Sequence, residues 1–204
     1  MVNLSHSDQQ RVSAAIKEAE ARTAGEIVCV LARSSSDYRA YATAWSALTA
    51  LIAPWLLMAL TQLSVREIFL AQIILFTALF VLFSQPRLGR MLVPRRARRA
   101  QAHRAAAEQF MIRGMARKKN RAAVLIFVSL AEHYARIIAD DGISAKVDQS
   151  VWQEAIDALL LCASEGRIAE GFVTAVEKCG RVLGEHFPPR PDGEDQLPDK
   201  IYLI

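Results

Sequence analysis

Hydrophobic and polar positions are arranged in three ways along the chain, and each predicts a different kind of element. Val12, Ala15, Ile16 and Ala19 recur at the three- and four-residue spacing of one helix face. Ser7-Asp8-Gln9-Gln10 has the form of a capping box ahead of them, and Thr23-Ala24-Gly25 supplies a stop. Glu26 to Arg33 is a short β-branched apolar run, the pattern of a buried strand. Ala122 to Ser129 and Tyr134 to Ala139 are two more, and the Leu-Ala-Glu-His connection between them suits an antiparallel hairpin. Pro94 fits the first position of a helix from Arg95 to Arg117, with Phe110, Met111 and Met115 on its apolar face. Two further helices are expected, Val151 to Ser164 and Ile168 to His186, with Gly166 and Gly171 at their junction. Lys200 to Ile204 is either an edge strand or a docked tail.

The third pattern has no polar side at all. Ala40 through Val65 carries no charged residue, Arg66-Glu67 interrupts, and Ile68 through Pro86 is again uncharged. At about 1.5 Å of rise per residue each run approaches the roughly 30 Å of a bilayer core, which predicts a transmembrane helical hairpin turning near Leu63 to Glu67. Pro54 should kink the first span. A pair of buried core helices is the alternative, and too little polar chain remains to wrap them.

The resulting order predicts an α/β fold, a small mixed β-sheet flanked by helices and interrupted by the hairpin after its first strand. The strand, crossover helix, strand sequence favours parallel pairing of the first two strands and antiparallel addition of the third. Residues 1–39 and 87–187 would form one cytosolic domain, 40–86 the hairpin and 188–204 a C-terminal tail. The 204 residues carry 25 Lys and Arg against 21 Asp and Glu, a net charge of +4. Much of the excess is positional. Arg33 and Arg39 precede the first span, and Arg87, Arg90, Arg95, Arg96, Arg98 and Arg99 follow the second, against Arg66 alone in the turn. This imbalance orients both termini to the cytosol of a bacterial inner membrane. Tyr38, Tyr41 and Trp45 suit an interfacial belt. The basic residues lack aromatic interleaving or a nucleic-acid motif, so no nucleic-acid partner is expected. The amino terminus lacks the basic and apolar regions of a secretory signal. Cys29, Cys162 and Cys179 are too scattered for a disulfide framework or a C-x-x-C site.

Several segments in this order resemble the TPM domain family, named for proteins of the thylakoid lumen and photosystem II repair and for a membrane modulator of receptors. They are Glu18 to Val30, Val124 to Ser129, Glu132-His133, Ile138-Ala-Asp-Asp-Gly-Ile143, Trp152, Gly166 to Phe172 and His186-Phe187-Pro188. The chain is most similar to a bacterial membrane-embedded branch in which two spans interrupt the domain after its first strand. It departs from relatives that carry an amino-terminal signal and place the domain outside the cytosol. The resemblance implies at most a weak acid phosphatase activity or assistance in membrane-complex repair, since a fold alone does not establish chemistry.

The candidate chemistry is thin. Asp140 and Asp141 follow a strand end, and with Glu26, which begins the first strand, they are candidate ligands for Ca²⁺ or Mg²⁺, hard ions that take oxygen donors. The competing reading of Asp140-Asp141-Gly142 is a turn held by local side-chain bonds, with Gly142 freeing a sharp exit. His103 and His133 stand near no phosphate-binding loop, and Ser129 lacks the Gly-x-Ser-x-Gly setting of a hydrolase nucleophile. Trp152 and Tyr134 are either groove residues or core anchors. The expectation is therefore a membrane-anchored interaction, assembly or quality-control factor whose partners are the bilayer and a membrane protein or a second copy. The alternative is a metal-assisted phosphatase-like hydrolase. A channel or transporter is disfavoured because neither span holds an ionisable residue in its interior.

Overall fold

The computed structural model describes residues 4–35, 39–85, 93–115, 122–189 and 198–204. By its contacts the chain divides into two compact units, Met1–Ser35 with Arg99–Ile204, and Ser36–Arg98. Tyr38, Arg87, Arg90, the expected helix end at Arg117 and much of the tail lie outside the described residues.

The first unit is built on a four-stranded sheet of order β3-β2-β1-β4. Strands β1 (Glu26–Ala32) and β2 (Ala123–Ser129) pair in parallel, Glu26 against Ala123 through Ala32 against Ser129. Strand β3 (Tyr134–Ala139) lies antiparallel to β2, and β4 (Ile201–Leu203) lies parallel to β1 on the other side. The expected mixed sheet forms, and the C-terminal segment is its edge strand. Because strand side chains alternate between faces, the in-register β1–β2 pair carries two cores. Ile27, Cys29 and Leu31 join Val124, Ile126 and Val128 beneath α1 (His6–Glu20) and α7 (Ile168–His186). Val28, Val30, Leu125 and Phe127 face the other way, onto Ala106 and Phe110 of α4 (Arg95–Ile112).

Local chemistry adjusts several expected boundaries. Helix α1 is capped by Ser5, not Ser7: the Ser5 hydroxyl accepts the Asp8 N–H at 3.1 Å. Helix α4 stops at Ile112, ahead of Gly114 in the left-handed region (φ 71°), and leaves Met111 exposed while Met115 is buried. Asp140 caps a short helix α5 (Asp141–Ser144) in which Gly142 is an interior residue, so the sharp exit expected of Gly142 does not occur. A 3₁₀ turn, Gln149–Trp152, leads into α6 (Gln153–Ser164) and places Trp152 in the core. Gly166 (φ 79°) forms the α6–α7 junction, whereas Gly171 lies inside α7, where an added Cβ would stand 2.9 Å from Cys162 Cβ.

The second unit is a helical hairpin, α2 (Arg39–Leu60) packed on α3 (Val65–Phe83). Its turn falls earlier than expected. Ser64 and Glu67 form a complete capping box, which draws Arg66 and Glu67 into the first turn of α3. Helix α2 continues through Pro54. Ala42, Ser46 and Ala50 recur on its buried side at the four-residue spacing that permits close helix approach. Ala40–Leu60 and Val65–Phe83 are long and apolar enough to cross a membrane, and only 11% and 6% of their most apolar windows are buried.

Val28 is 1% exposed between two strands. Val28→Asp should cost roughly 3 kcal/mol or more by burying an uncompensated charge, read as a lowered unfolding midpoint in detergent. A midpoint close to the original would show that the first segment is not part of this sheet.

Candidate functional site

The starts of β1 and β2 and the end of β3 lie at one edge of the sheet, and carboxylates gather there. Asp140 is 6% exposed; its Oδ1 accepts the Asp141 N–H at 2.7 Å, while Oδ2 is buried without a donor. Asp141 is exposed in the first turn of α5. Glu26 lies one strand beyond, with β2 between it and Asp140. The three sequence candidates thus share an edge without surrounding a single point. Among the described residues, no group of three or more His, Cys, Asp and Glu side chains is gathered closely enough to hold a metal ion.

Two carboxyls that the sequence did not single out for chemistry lie near Glu26. Glu20, at the end of α1, accepts the Ile27 N–H at 2.6 Å and shares a hydrogen bond with Asp199, just before β4. Burial raises the Glu20 pKa to about 9, against the opposing Ile27 hydrogen bond and helped by the Asp199 bond and the charges of Asp199 and Glu26. Asp199 Oδ1 is buried with no N–H, hydroxyl or cation donating to it, a situation that a proton retained on Glu20 relieves. Because 179 positions separate Glu20 from Asp199, no local motif revealed the pair.

The opposite edge of the sheet holds a knot around Glu132. Its carboxylate accepts the Ser129 and Ser35 hydroxyls and the Ser35 N–H, the latter two at 3.0 and 3.1 Å, and its other oxygen accepts the Ser34 hydroxyl at 3.1 Å. Backbone bonds from Leu130 to Ala32 and Ala131 to Arg33, both 3.0 Å, run alongside. Glu132 therefore fastens the β2–β3 turn to the point where the chain leaves the sheet for the hairpin. Ser129 is wholly buried and hydrogen-bonded to a carboxylate with no histidine between them, an arrangement that holds a strand end and lacks the base of a nucleophilic triad.

The remaining candidates serve packing. Cys29 and Cys179 are fully buried, and desolvation raises both thiols, Cys179 to about 12, so neither offers a thiolate at neutral pH. Phe187, part of the His-Phe-Pro segment, accepts the Thr23 hydroxyl at 2.6 Å and the Ala24 N–H at 2.9 Å through its carbonyl, fixing the α1–β1 turn against the end of α7. His103 lies exposed on α4 and His133 in the β2–β3 turn.

A family model described as the TPM domain matches residues 91–182. Among solved structures the chain is similar to the NMR structure of BA42 protein from the psychrophilic bacterium Bizionia argentinensis. That similarity has a TM-score of 0.62 and 20% identity, and covers 98% of this chain and 95% of that one. No curated protein sequence matches.

Glu20 has a direct consequence for pH. Folded, it keeps its proton to about pH 9, whereas its ordinary value is 4.5. Between these values the folded state binds more protons than the unfolded state, so stability should fall as pH rises through the window. Glu20→Gln keeps an acceptor for Ile27 and a donor for Asp199, and should flatten the decline of the thermal midpoint. An equally steep decline in the variant would place Glu20 among ordinary ionised carboxylates.

Proposed function

We propose that this chain, which carries a TPM domain, is a membrane-anchored interaction, assembly or quality-control factor of the bacterial inner membrane, with both termini in the cytosol. The observation that carries this reading is the exposure of the two apolar helices. A core helix of this length would hide its hydrophobic side chains, but Leu51, Trp55, Phe69, Ile73 and Ile74 all stand outward at 60% exposure or more. Hydrocarbon is the environment that suits such a surface. The hairpin is inserted between two paired strands, so the domain is tied to its anchor at both ends of the insertion. That geometry favours presenting a surface to a membrane partner over free diffusion, and the described residues assemble no catalytic triad.

The topology rests on the arginine imbalance. A reporter active only in the periplasm should be silent when fused after Ile204 and active when inserted after Ser64; activity at the C-terminal position would overturn the orientation. Affinity capture in mild detergent should then recover a membrane protein, or a second copy, in fixed stoichiometry.

A second reading, a metal-assisted hydrolase, is favoured by one observation, the buried Asp140 Oδ2 without a donor. Asp140, with Asp141 beside it, would supply oxygen ligands to Ca²⁺ or Mg²⁺, and water would complete the shell in place of Glu26, which lies a strand away. Millimolar cation should then raise the thermal midpoint by mass action, and changing Asp140 and Asp141 together to Asn should remove that rise while keeping the cap. An unchanged midpoint for the unmodified protein would leave Asp140 as a helix cap alone.

A further inference from the structure

We infer that a cavity along the free edge of β3 binds a phosphate-ester anion, a site separate from both functional readings above. The cavity measures about 380 Å³, within the range of small-molecule sites and larger than inorganic phosphate alone needs. It lies around the first half of β3, at the far end of that strand from Asp140.

Its charge is one-sided. Arg99 and Arg136 line it together with His133, and no carboxylate does. The Arg136 Nε is buried without a hydrogen-bond partner, and among the described residues neither arginine makes an ion pair. With no carboxylate among the described residues to pair either guanidinium, an anion in the cavity would supply the missing acceptor to this positive lining. Arg136 also stands near His103: slight desolvation and then the Arg136 charge hold that imidazole below its ordinary value, so the positive field of Arg136 reaches α4.

The backbone contributes direction. Ile137 turns its carbonyl away from β2 to accept the Gln149 amide at 3.1 Å, so by the alternation of an antiparallel ladder the Ala135 N–H points the same way, toward the cavity. His133 is the one non-glycine with positive φ among the described residues (47°), which sets it at the mouth beside the arginines. Gln153 is oriented by its bond to Asp157 at 2.8 Å. On the other wall Ile156 and Leu160 are apolar. Two guanidiniums, an N–H and an apolar wall suit a phosphate carrying an organic substituent, because guanidinium forks match phosphate oxygens. Such a phosphate has two sources, a soluble phosphomonoester or an anionic lipid headgroup.

The test uses the full chain in nanodiscs at constant ionic strength. In phosphatidylcholine discs, inorganic phosphate titrated calorimetrically should bind, and Arg136→Gln or Arg99→Gln should each weaken binding about tenfold or more. Arg99 is exposed, so its substitution leaves folding intact even where Arg136→Gln does not. Arg11→Gln, which removes the same charge from α1, should have no effect. If free phosphate is silent but phosphatidic acid in the disc raises the thermal midpoint, and Arg99→Gln removes the rise, the anion is a headgroup. Silence from both probes, or equal weakening by Arg11→Gln, overturns the site.

Discussion

Parallel pairing of β1 with β2 is the contact on which the rest of the molecule depends. The two strands stand side by side, yet Ala32 and Ala123 are separated by the whole hairpin and by α4. Closing so long a connection is affordable because loop entropy grows only logarithmically, by roughly 0.6 kcal/mol per doubling of length. Two apolar faces, one beneath α1 and α7 and the other beneath α4, provide the return. Once the strands pair, the chain leaves the sheet after Ala32, where the Glu132 knot holds it with two serines beside it, and re-enters at Ala123, the opposite end of the pair.

The two edges of the sheet then differ in character. One gathers acid groups, where Glu20 keeps a proton because burial and its neighbours make a second negative charge too costly. The other gathers hydroxyls around one carboxylate and leads into the edge strand where Arg136 and His133 stand. The structure therefore separates a place that tolerates or demands positive charge from one that is already positive.

The sequence revealed most of this wherever local periodicity sets the structure. The strand runs at Glu26, Ala122 and Tyr134 emerged within a residue of their observed starts because β-branched blocks bounded by turns are hard to mistake. The two apolar helices were evident from length and charge alone. Legibility failed where a single hydrogen bond decides. Ser5 outcompetes Ser7 as the cap of α1, and Ser64 with Glu67 pulls two charged residues out of the turn into α3. Gly142 was read as a turn residue, but Asp140 caps a helix across it. The same limit applied to chemistry. Asp140 and Asp141 could be placed at a strand end while the position of Glu26 relative to them stayed open, and Glu20 with Asp199, or Glu132 with Ser34 and Ser35, meet only through the folded sheet.

Native-state hydrogen exchange in nanodiscs addresses the β1–β2 pairing directly, because amides that open together share one free energy. Ile27 to Leu31 and Val124 to Val128 should exchange through the same slow global opening, whatever the hairpin between them does. Rapid exchange in β1 while β2 stays protected would contradict the account, and would mean that the hairpin divides the chain into pieces that do not form one sheet.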